Sequence, residues 1–545
     1  MAMMDTPLNS WLLFEHAPRH YADTEIVTRF ESGDVHRTTY AEFGTRAQQL
    51  MHALDRLGLD KGVPVATLAW NSYRHLECYF GVPCSGRVLH TLNLRLSPED
   101  LSYIINHARD RAILVDPDVL PVLERLGDLP SVEHVIVLGD EVPAGTSFTN
   151  AVAYEDLIAD EPETYARIEI PEDTPLGLCY TSGTTGRPKG AVYTHRSTFL
   201  HSLGVSSGAG MSIGPRDCVL PIVPMFHANA WGLPHAATAV GAKQVFCAGA
   251  LDPAGVVDTL LDERVTVTAG VPTIWLTVAD EIASRGGTLP HLRHVACGGS
   301  QPPRALIERY LRDFEVPIIQ AWGMTETSPL ASMAWPKEQM GDWDDDRITD
   351  VARCQAGLPL PGVDVSIRDT DDNEVPWDSE TMGHLCVRGP WIIDSYLHGE
   401  GTECFTKDGW FRTGDMAIGS PNGYFVIADR SKDLIKSGGE WISSVDMEAA
   451  IMAMPGVAEA AVVAIPDPKW QERPLACVVP HEGTEITLED VRSHLEGRGF
   501  AKWQLPDRVE VIAEVPKTTV GKFDKKVLRA RFGVDPASSG TRSEG

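Results

Sequence analysis

The chain has no apolar run long enough to span a membrane. Its first stretch, MAMMDTPLNSWLLFEHAPRHY, has neither the cationic start nor the apolar core of a secretory signal. It has no C-x-x-C pair: ten cysteines are scattered singly, which excludes a Cys-rich metal site and fits free thiols in a reducing cytosol. Positive charge is in deficit. Lys+Arg number 47 against 76 Asp+Glu, a formal net charge of −29. That argues against a nucleic-acid backbone or an anionic membrane surface as the main partner. No repeat of fixed period is present. The expectation is a cytoplasmic protein with no transmembrane segment and no nucleic-acid partner. The 545 residues are 43% hydrophobic and 23% charged, the composition of a globular protein too long for one ordinary domain.

The most informative stretch is YTSGTTGRPKGAVYTHRS, from Tyr180 to Ser197. Thr181, Ser182, Thr184 and Thr185 offer hydroxyls to phosphate oxygens or to a hydrated Mg²⁺. Gly183, Gly186 and Gly190 permit φ > 0 and close backbone approach to an anion. Lys189 is a compact cation for phosphate charge. The spacing is not that of a Walker A loop. A solvated Gly-rich hairpin turn is the plain alternative, and the density of hydroxyls with the lysine weighs against it.

Along the chain, strand-like and helix-like segments alternate. VPVATLAW (Val63 to Trp70) and RAILVD (Arg111 to Asp116) read as strands. Ser97 caps a helix with Pro98 first and acids Glu99 and Asp100 in its opening turn. CVLPIVPM, VTVTAGVP and HVACGG continue the pattern, each ending in a Gly or Pro turn. Such alternation predicts an α/β fold with mostly parallel sheets, and ligands beyond the carboxyl ends of the strands. The acidic GDWDDDRITD (Gly341 to Asp350) reads as a solvated loop. GMTETSP reads as a turn entering a helix, with a plain Thr N-cap as its alternative. A β-rich piece with turns at Asp371–Asn373 and Pro421–Gly423 precedes a boundary at Asp429–Leu434. Beyond it a compact α+β pattern follows, with helices near Ser444 to Met454 and after Thr487.

At these residues the sequence resembles the adenylate-forming superfamily of acyl-CoA synthetases, luciferases and peptide-synthetase adenylation domains. The further motifs PMFHANAWG, CGGSQPP, QAWGMTETSP, GWFRTGD, DRSKDLIKSGGEWIS and PKTTVGKFDKK follow in order as far as Lys526. Within the superfamily it looks most like fatty acyl-CoA synthetases, on KSGGEWISSVDME and PKWQERP. The resemblance implies a large N-terminal domain of layered α/β sheets with a β-rich subdomain (1–428), a hinge linker (429–434) and a small mobile α+β domain (435–545). It implies ATP, Mg²⁺ and CoA, a fatty acid as substrate, and a possible homodimer. Anionic ATP and CoA must then be held by local cations against the overall field.

The same resemblance gives residues their roles. The loop Thr181, Ser182, Gly183, Thr184, Thr185 and Lys189 holds the leaving phosphates, with Mg²⁺ at Thr181 and Glu326. Thr325 contacts the α-phosphate. Gln320, Ala321 and Trp322 form the adenine wall opposite Gly299; the family commonly has Tyr where Trp322 stands, which leaves stacking intact and a phenol contact in doubt. Asp415 accepts from the ribose hydroxyls, as carboxylates do in many nucleotide sites, although capping a turn is its plainer use. Arg430, Lys436 and Trp441 approach the nucleotide, and Lys432 is the pivot. His227 lies near the substrate carboxylate, where a satisfied core histidine is the alternative. Trp231 gates an acyl tunnel lined by Val271, Gly298 and Gly323. Ser437, Gly438 and Gly439 give the pantetheine arm its path. Lys522 is the catalytic lysine of the first half-reaction, where a solvated basic turn is the alternative. Three rivals stand beside this reading: a short-acid ligase, for instance for a methylthio-alkanoate; an acyl-AMP ligase that loads carrier proteins; and a non-catalytic nucleotide-binding protein.

Overall fold

Apolar runs that end in Gly or Pro become short buried strands here, because the turn residue stops the strand where the sheet ends. Cys218–Pro221, Val267–Gly270 and His294–Gly298 are of this kind. The computed structural model describes residues 3–181, 187–249, 252–430, 433–437, 440–481, 483–517 and 523–532, and only the backbone of Arg430 and Trp441.

Two sheets dominate. One has nine strands, in the order Leu358–Pro359, Leu330–Met333, Ile318–Gly323, His294–Gly298, Val267–Gly270, Cys218–Pro221, Lys243–Ala248, Glu25–Phe30 and Val35–Thr39. Its six central strands are parallel and its edges antiparallel. The other has seven, in the order Val152–Ala153, His134–Val137, Ala112–Val115, Pro64–Leu68, Val88–Thr91, Pro175–Tyr180 and Gly190–Thr194; only its last pair is antiparallel. Helix Tyr73–Cys84, buried along nearly its whole length, packs with Tyr40–Arg56 in a core that takes Val65 and Leu89 from one sheet and Ile26 and Phe246 from the other. Helices Pro253–Asp262, Pro272–Ser284 and Arg304–Phe314 cover the far face of the nine-stranded sheet, and Pro98–Ala108 that of the seven-stranded one. Alternating layers of this kind bury both faces of parallel strands, which is why those strands are apolar throughout.

A four-stranded antiparallel sheet (Asp364–Arg368, Met382–Arg388, Phe411–Gly419, Phe425–Arg430) shares a core with the nine-stranded sheet. A five-stranded sheet with helices Ser444–Met452 and Leu488–Gly497 forms the small domain around its own apolar cluster. Ser97, Thr194 and Thr487 cap helices through their side chains. No helix among the described residues is long and apolar enough to cross a membrane.

Two expectations need correction. The acidic stretch before Asp350 is not an open loop. Asp344 caps a short helix, Asp345–Ile348, by accepting from Arg347 N at 2.8 Å, and Ile348 and Thr349 are buried beneath it. GMTETSP does not enter a helix. Thr325–Thr327 is a single 3₁₀ turn, ended by Ser328 at φ 70° and by Pro329, which has no N–H to continue it; strand Leu330–Met333 follows.

Candidate active site

The carboxyl ends of the central strands open on one cavity of about 400 Å³. Its lining falls into two parts. Thr181, Gly299, Ala321, Trp322, Thr325 and Glu326 form one end. His227, Trp231, Val271, Ile274, Cys247 and Trp70 form the other, with Gly323 also on the wall. Residues far apart in sequence meet here because each follows a strand of the same two sheets.

The polar end is held by hydrogen bonds. Thr181 sits at the neck of the hairpin Pro175–Tyr180/Gly190–Thr194: its N–H donates to Lys189 O at 2.9 Å and its hydroxyl accepts from Lys189 N at 3.2 Å. Lys189 Nζ pairs with Glu403 at 2.9 Å and lies over the Tyr396 ring, and the bond to Glu403 raises its pKa. Glu326 is buried, and its Oε1 accepts from the Tyr396 hydroxyl at 2.6 Å. Burial, followed by the Glu326 carboxylate, pushes the Tyr396 phenol up, so it stays a donor. Tyr193 fixes the next turn by donating to Thr325 O at 2.7 Å. Trp322 Nε1–H donates to Asp415 Oδ2 at 3.2 Å. The tryptophan that replaces the family's tyrosine thus brings a donor of its own. Asp415 is not a turn cap: it lies within strand Phe411–Gly419, opposite Arg430 across the ladder.

The apolar end rests on an unusual backbone. Ala228, Asn229, Ala230 and Trp231 all have φ between 43° and 56°. A left-handed residue with a side chain costs roughly 1–2 kcal/mol, so the turn is strained. His227, which precedes it, is half-buried on the cavity wall and is not a core histidine. The Trp231 ring closes against Gly298, where a built Cβ would lie 3.0 Å from the ring edge and 2.4 Å from Ala321 O. Only glycine fits at that point.

Other expected residues fall elsewhere. Gly190 is a strand residue packed against Leu178, Tyr180 and Leu397, where a Cβ would sit at 3.0–3.2 Å; it has no positive φ, so close packing, not an anion, asks for glycine there. Gln320 is buried beside the cavity without lining it, and its Oε1 has no partner among the described residues. Lys436 is exposed on the small domain. The Ser437 hydroxyl is taken by Arg473 at 2.9 Å. Lys525, three residues after Lys522, is tied to Glu448 at 2.7 Å. Ser182, Gly183, Thr184, Thr185, Gly186, Lys432, Gly438, Gly439 and Lys522 lie outside the described residues, as do the side chains of Arg430 and Trp441.

Four residues given no role from the sequence bear on the site: Tyr396, Glu403, Arg95 and Asn229, the last inside the PMFHANAWG motif. Arg95 is the one Lys or Arg among the described lining residues and lies over the Phe226 ring. Tyr396, Glu403 and Arg95 belong to no motif; the local signals were an arginine beside the helix start SPED and an asparagine between His227 and Trp231.

The family described as AMP-binding enzyme matches residues 14–397, and AMP-binding enzyme C-terminal domain matches 446–522. The chain belongs to the AMP-binding enzyme family. It is 48% identical over 534 residues to a long-chain-fatty-acid–CoA ligase of Thermus thermophilus, covering 97% of this chain and 96% of that one. It is 39% identical to a medium-chain-fatty-acid–CoA ligase of Ectopseudomonas oleovorans (97% of each chain). It is 40% identical to a 3-methylmercaptopropionyl-CoA ligase of Ruegeria pomeroyi (97% and 98%). The solved structure of ATP-bound MatB from Rhodopseudomonas palustris superposes with TM-score 0.82 at 27% identity, over 96% of this chain and 99% of that one. The large α/β domain with a small C-terminal domain is therefore the architecture of this family.

Proposed function

We propose that the protein is an AMP-forming ligase that joins a medium- or long-chain fatty acid to CoA. The observation that carries this is a cavity that joins a hydrogen-bonded polar end to an apolar end walled by Trp231. In the first half-reaction a carboxylate oxygen attacks the α-phosphorus of ATP and pyrophosphate leaves. In the second the CoA thiol attacks the acyl carbonyl, loses its proton, and AMP leaves.

The protein's part is to position groups and offset charge. Thr181 and Lys189 flank the loop that grips the leaving phosphates. Thr325, its carbonyl fixed by Tyr193, faces the α-phosphate. Trp322 stacks on adenine while steering Asp415 toward the ribose. One hydroxyl (Thr181) and one buried carboxylate (Glu326) on the same wall fit Mg²⁺, which takes few protein oxygens and keeps its waters. Bound there, Mg²⁺ supplies positive charge to the triphosphate. His227 lies where the carboxylate must come, and the apolar wall beyond Trp231 suits a chain whose every buried CH₂ contributes about 0.8 kcal/mol.

Lys522 offsets charge on the attacking and bridging oxygens. The linker 429–434 lets the small domain replace Lys522 with the Ser437–Gly439 path, with Lys432 as pivot. All ten cysteines are free thiols, in keeping with a reducing compartment such as the cytoplasm. Pairing of large domains in a homodimer is part of the same proposal.

AMP release measured with ATP, Mg²⁺ and CoA, across saturated acids of about three to eighteen carbons, tests the substrate class by the sign of the chain-length trend. A rise or plateau beyond eight carbons fits the fatty acid. Activity confined to short acids would move the assignment to the short-acid ligase, the reading favoured if bulky residues fill the space behind Trp231.

A further inference from the structure

The nine-stranded sheet carries a second cavity, at the opposite end from the active site. It measures about 440 Å³, within the roughly 300–1,000 Å³ of small-molecule sites. It caps the amino ends of four adjacent parallel strands. Thr24 precedes Glu25–Phe30, Lys243 opens Lys243–Ala248, Cys218 opens Cys218–Pro221, and Thr266 precedes Val267–Gly270. Arg216, Arg264 and His291 also line it.

Two carboxylates face the same space, and both are already matched. Asp217 accepts from Arg293 through both oxygens, each at 3.0 Å, and from the Thr266 hydroxyl at 2.6 Å. Glu263 accepts from Arg37 at 2.6 Å and from Lys243 at 2.9 Å. Burial works to raise the Glu263 pKa, and the bonds to Arg37 and Lys243 bring it below its usual value, so the carboxylate stays charged. Glu25 pairs with the same two cations. Arg37 and Lys243 therefore balance Glu25 and Glu263, and Arg293 balances Asp217. Arg216 and Arg264 remain as uncompensated charge. Among the described residues, no side-chain hydrogen bond or ion pair engages Arg216, Arg264 or His291. This occurs in a chain of net charge −29, where carboxylates are plentiful. Arg264 is moreover held at φ 55°, just past helix Pro253–Asp262, where glycine sits without strain. Gathered cations repel one another, and an anion between them relieves that repulsion.

We propose that this cavity is a second binding site, for a soluble phosphate ester, with Arg216 and Arg264 gripping the phosphate. Planar guanidinium forks match phosphate oxygens two at a time. The Thr24 hydroxyl and the His291 imidazole stand in the same lining for the rest of the ligand. The site is separate from the nucleotide end of the active site. Ile222, Gly249 and Gly270, at the other ends of three of the same strands, line the active-site cavity instead.

The test is calorimetric titration with inorganic phosphate and with glycerol 3-phosphate, near 10 mM salt, where the screening length is about 30 Å. Arg264→Gly keeps the left-handed backbone and removes the cation. Combined with Arg216→Gln, it should weaken the binding of both probes by about fivefold or more, while KM for ATP stays within about twofold of wild type. Lys189→Gln, at the active site, should leave the phosphate affinity within about twofold of wild type. A folded double variant with wild-type affinity for both probes overturns the proposal, as does a wild-type protein that binds neither. Loss of phosphate binding in Lys189→Gln, with the double variant unaffected, would put the phosphate in the active site and also overturn it. If the double variant does not fold, Arg264→Gly alone is read by the same criterion. Phosphatidylcholine vesicles containing phosphatidic acid separate the two sources of a phosphate. Sedimentation of the wild-type protein with them, lost in the double variant and without binding of either soluble probe, would assign the phosphate to a lipid and overturn the soluble ligand.

Discussion

The two ends of the cavity are built on opposite principles. At the polar end, the residues facing the cavity already have partners: Glu326 has Tyr396, Thr325 has Tyr193, Trp322 has Asp415, and Lys189 behind them has Glu403. Among the described residues there, geometry is set by side-chain hydrogen bonds across short distances. At the apolar end the backbone itself is strained, Gly270, Val271 and Ile274 line the wall with Trp231, and Gly298 packs against the Trp231 ring. Triphosphate has one shape and is gripped by fixed donors. Acyl chains vary in length, and a site for them gains from an element that has somewhere else to go. Rigid polar preorganisation and a strained apolar turn within one cavity are the structural form of that difference.

The largest effect should come from the group that serves the junction of the two ends. Lys522→Ala should lower adenylate formation by roughly a thousandfold, the scale of losing one charge-stabilising donor. Thioester formation from a supplied acyl-adenylate should survive, read by thiol consumption; loss of both steps would contradict the role. Next comes Glu326→Gln, which keeps the shape and the acceptor for Tyr396 but removes the charge. AMP release should drop by about a hundredfold and need far more Mg²⁺ for half-saturation. An unchanged Mg²⁺ requirement would place the ion elsewhere. At the apolar end, Trp231→Ala should leave ATP saturation alone and bring kcat/KM for acids of different length to within about tenfold of one another, since each methylene in an open pocket discriminates weakly.

How much of this was readable from the sequence follows the same division. Alternating apolar runs and caps predicted the parallel α/β layers, and Ser97 and Thr487 act locally, so their neighbours in sequence suffice to place them; Thr194, which caps a helix in the same way, went unread. Thr181, Trp322 and Glu326 sit in motifs whose residues are adjacent in the chain, and strand order brings them to one wall. Tyr396 and Glu403 escaped notice because their partners are 70 and 214 residues away. The left-handed turn escaped for another reason. Nothing in HANAWG prescribes φ > 0 at four residues in a row, and the hydrogen-bond partners of Asn229 within the turn lie 50 and 138 residues distant. Gly190 was misread as an anion glycine because packing and anion binding ask for the same residue.

Trp322→Phe sharpens the contrast with a smaller effect. It keeps the stacking ring and deletes the N–H that donates to buried Asp415. A neutral donor to a carboxylate contributes about 1.5 kcal/mol, so KM for ATP should rise by roughly tenfold with little change in acid preference. A shift in acid preference instead would mean that the two ends are less separate than their construction implies.

The smallest effect, and the only gain, belongs to Glu403. Its carboxylate holds Lys189 Nζ, and the bond lowers the Glu403 pKa while raising that of Lys189. Triphosphate must compete for the same ammonium. The pair is exposed, with the Glu403 side chain 69% accessible, so solvent screens it and its contribution is small. Glu403→Gln should therefore lower KM for ATP by no more than about fivefold at low ionic strength. The difference should fade near 1 M salt, where the screening length falls to about 3 Å. Steady-state kinetics at two salt concentrations reads both parts. A raised KM would mean that Glu403 orients Lys189 for phosphate and does not compete with it, which would make this segment part of the preorganised polar end.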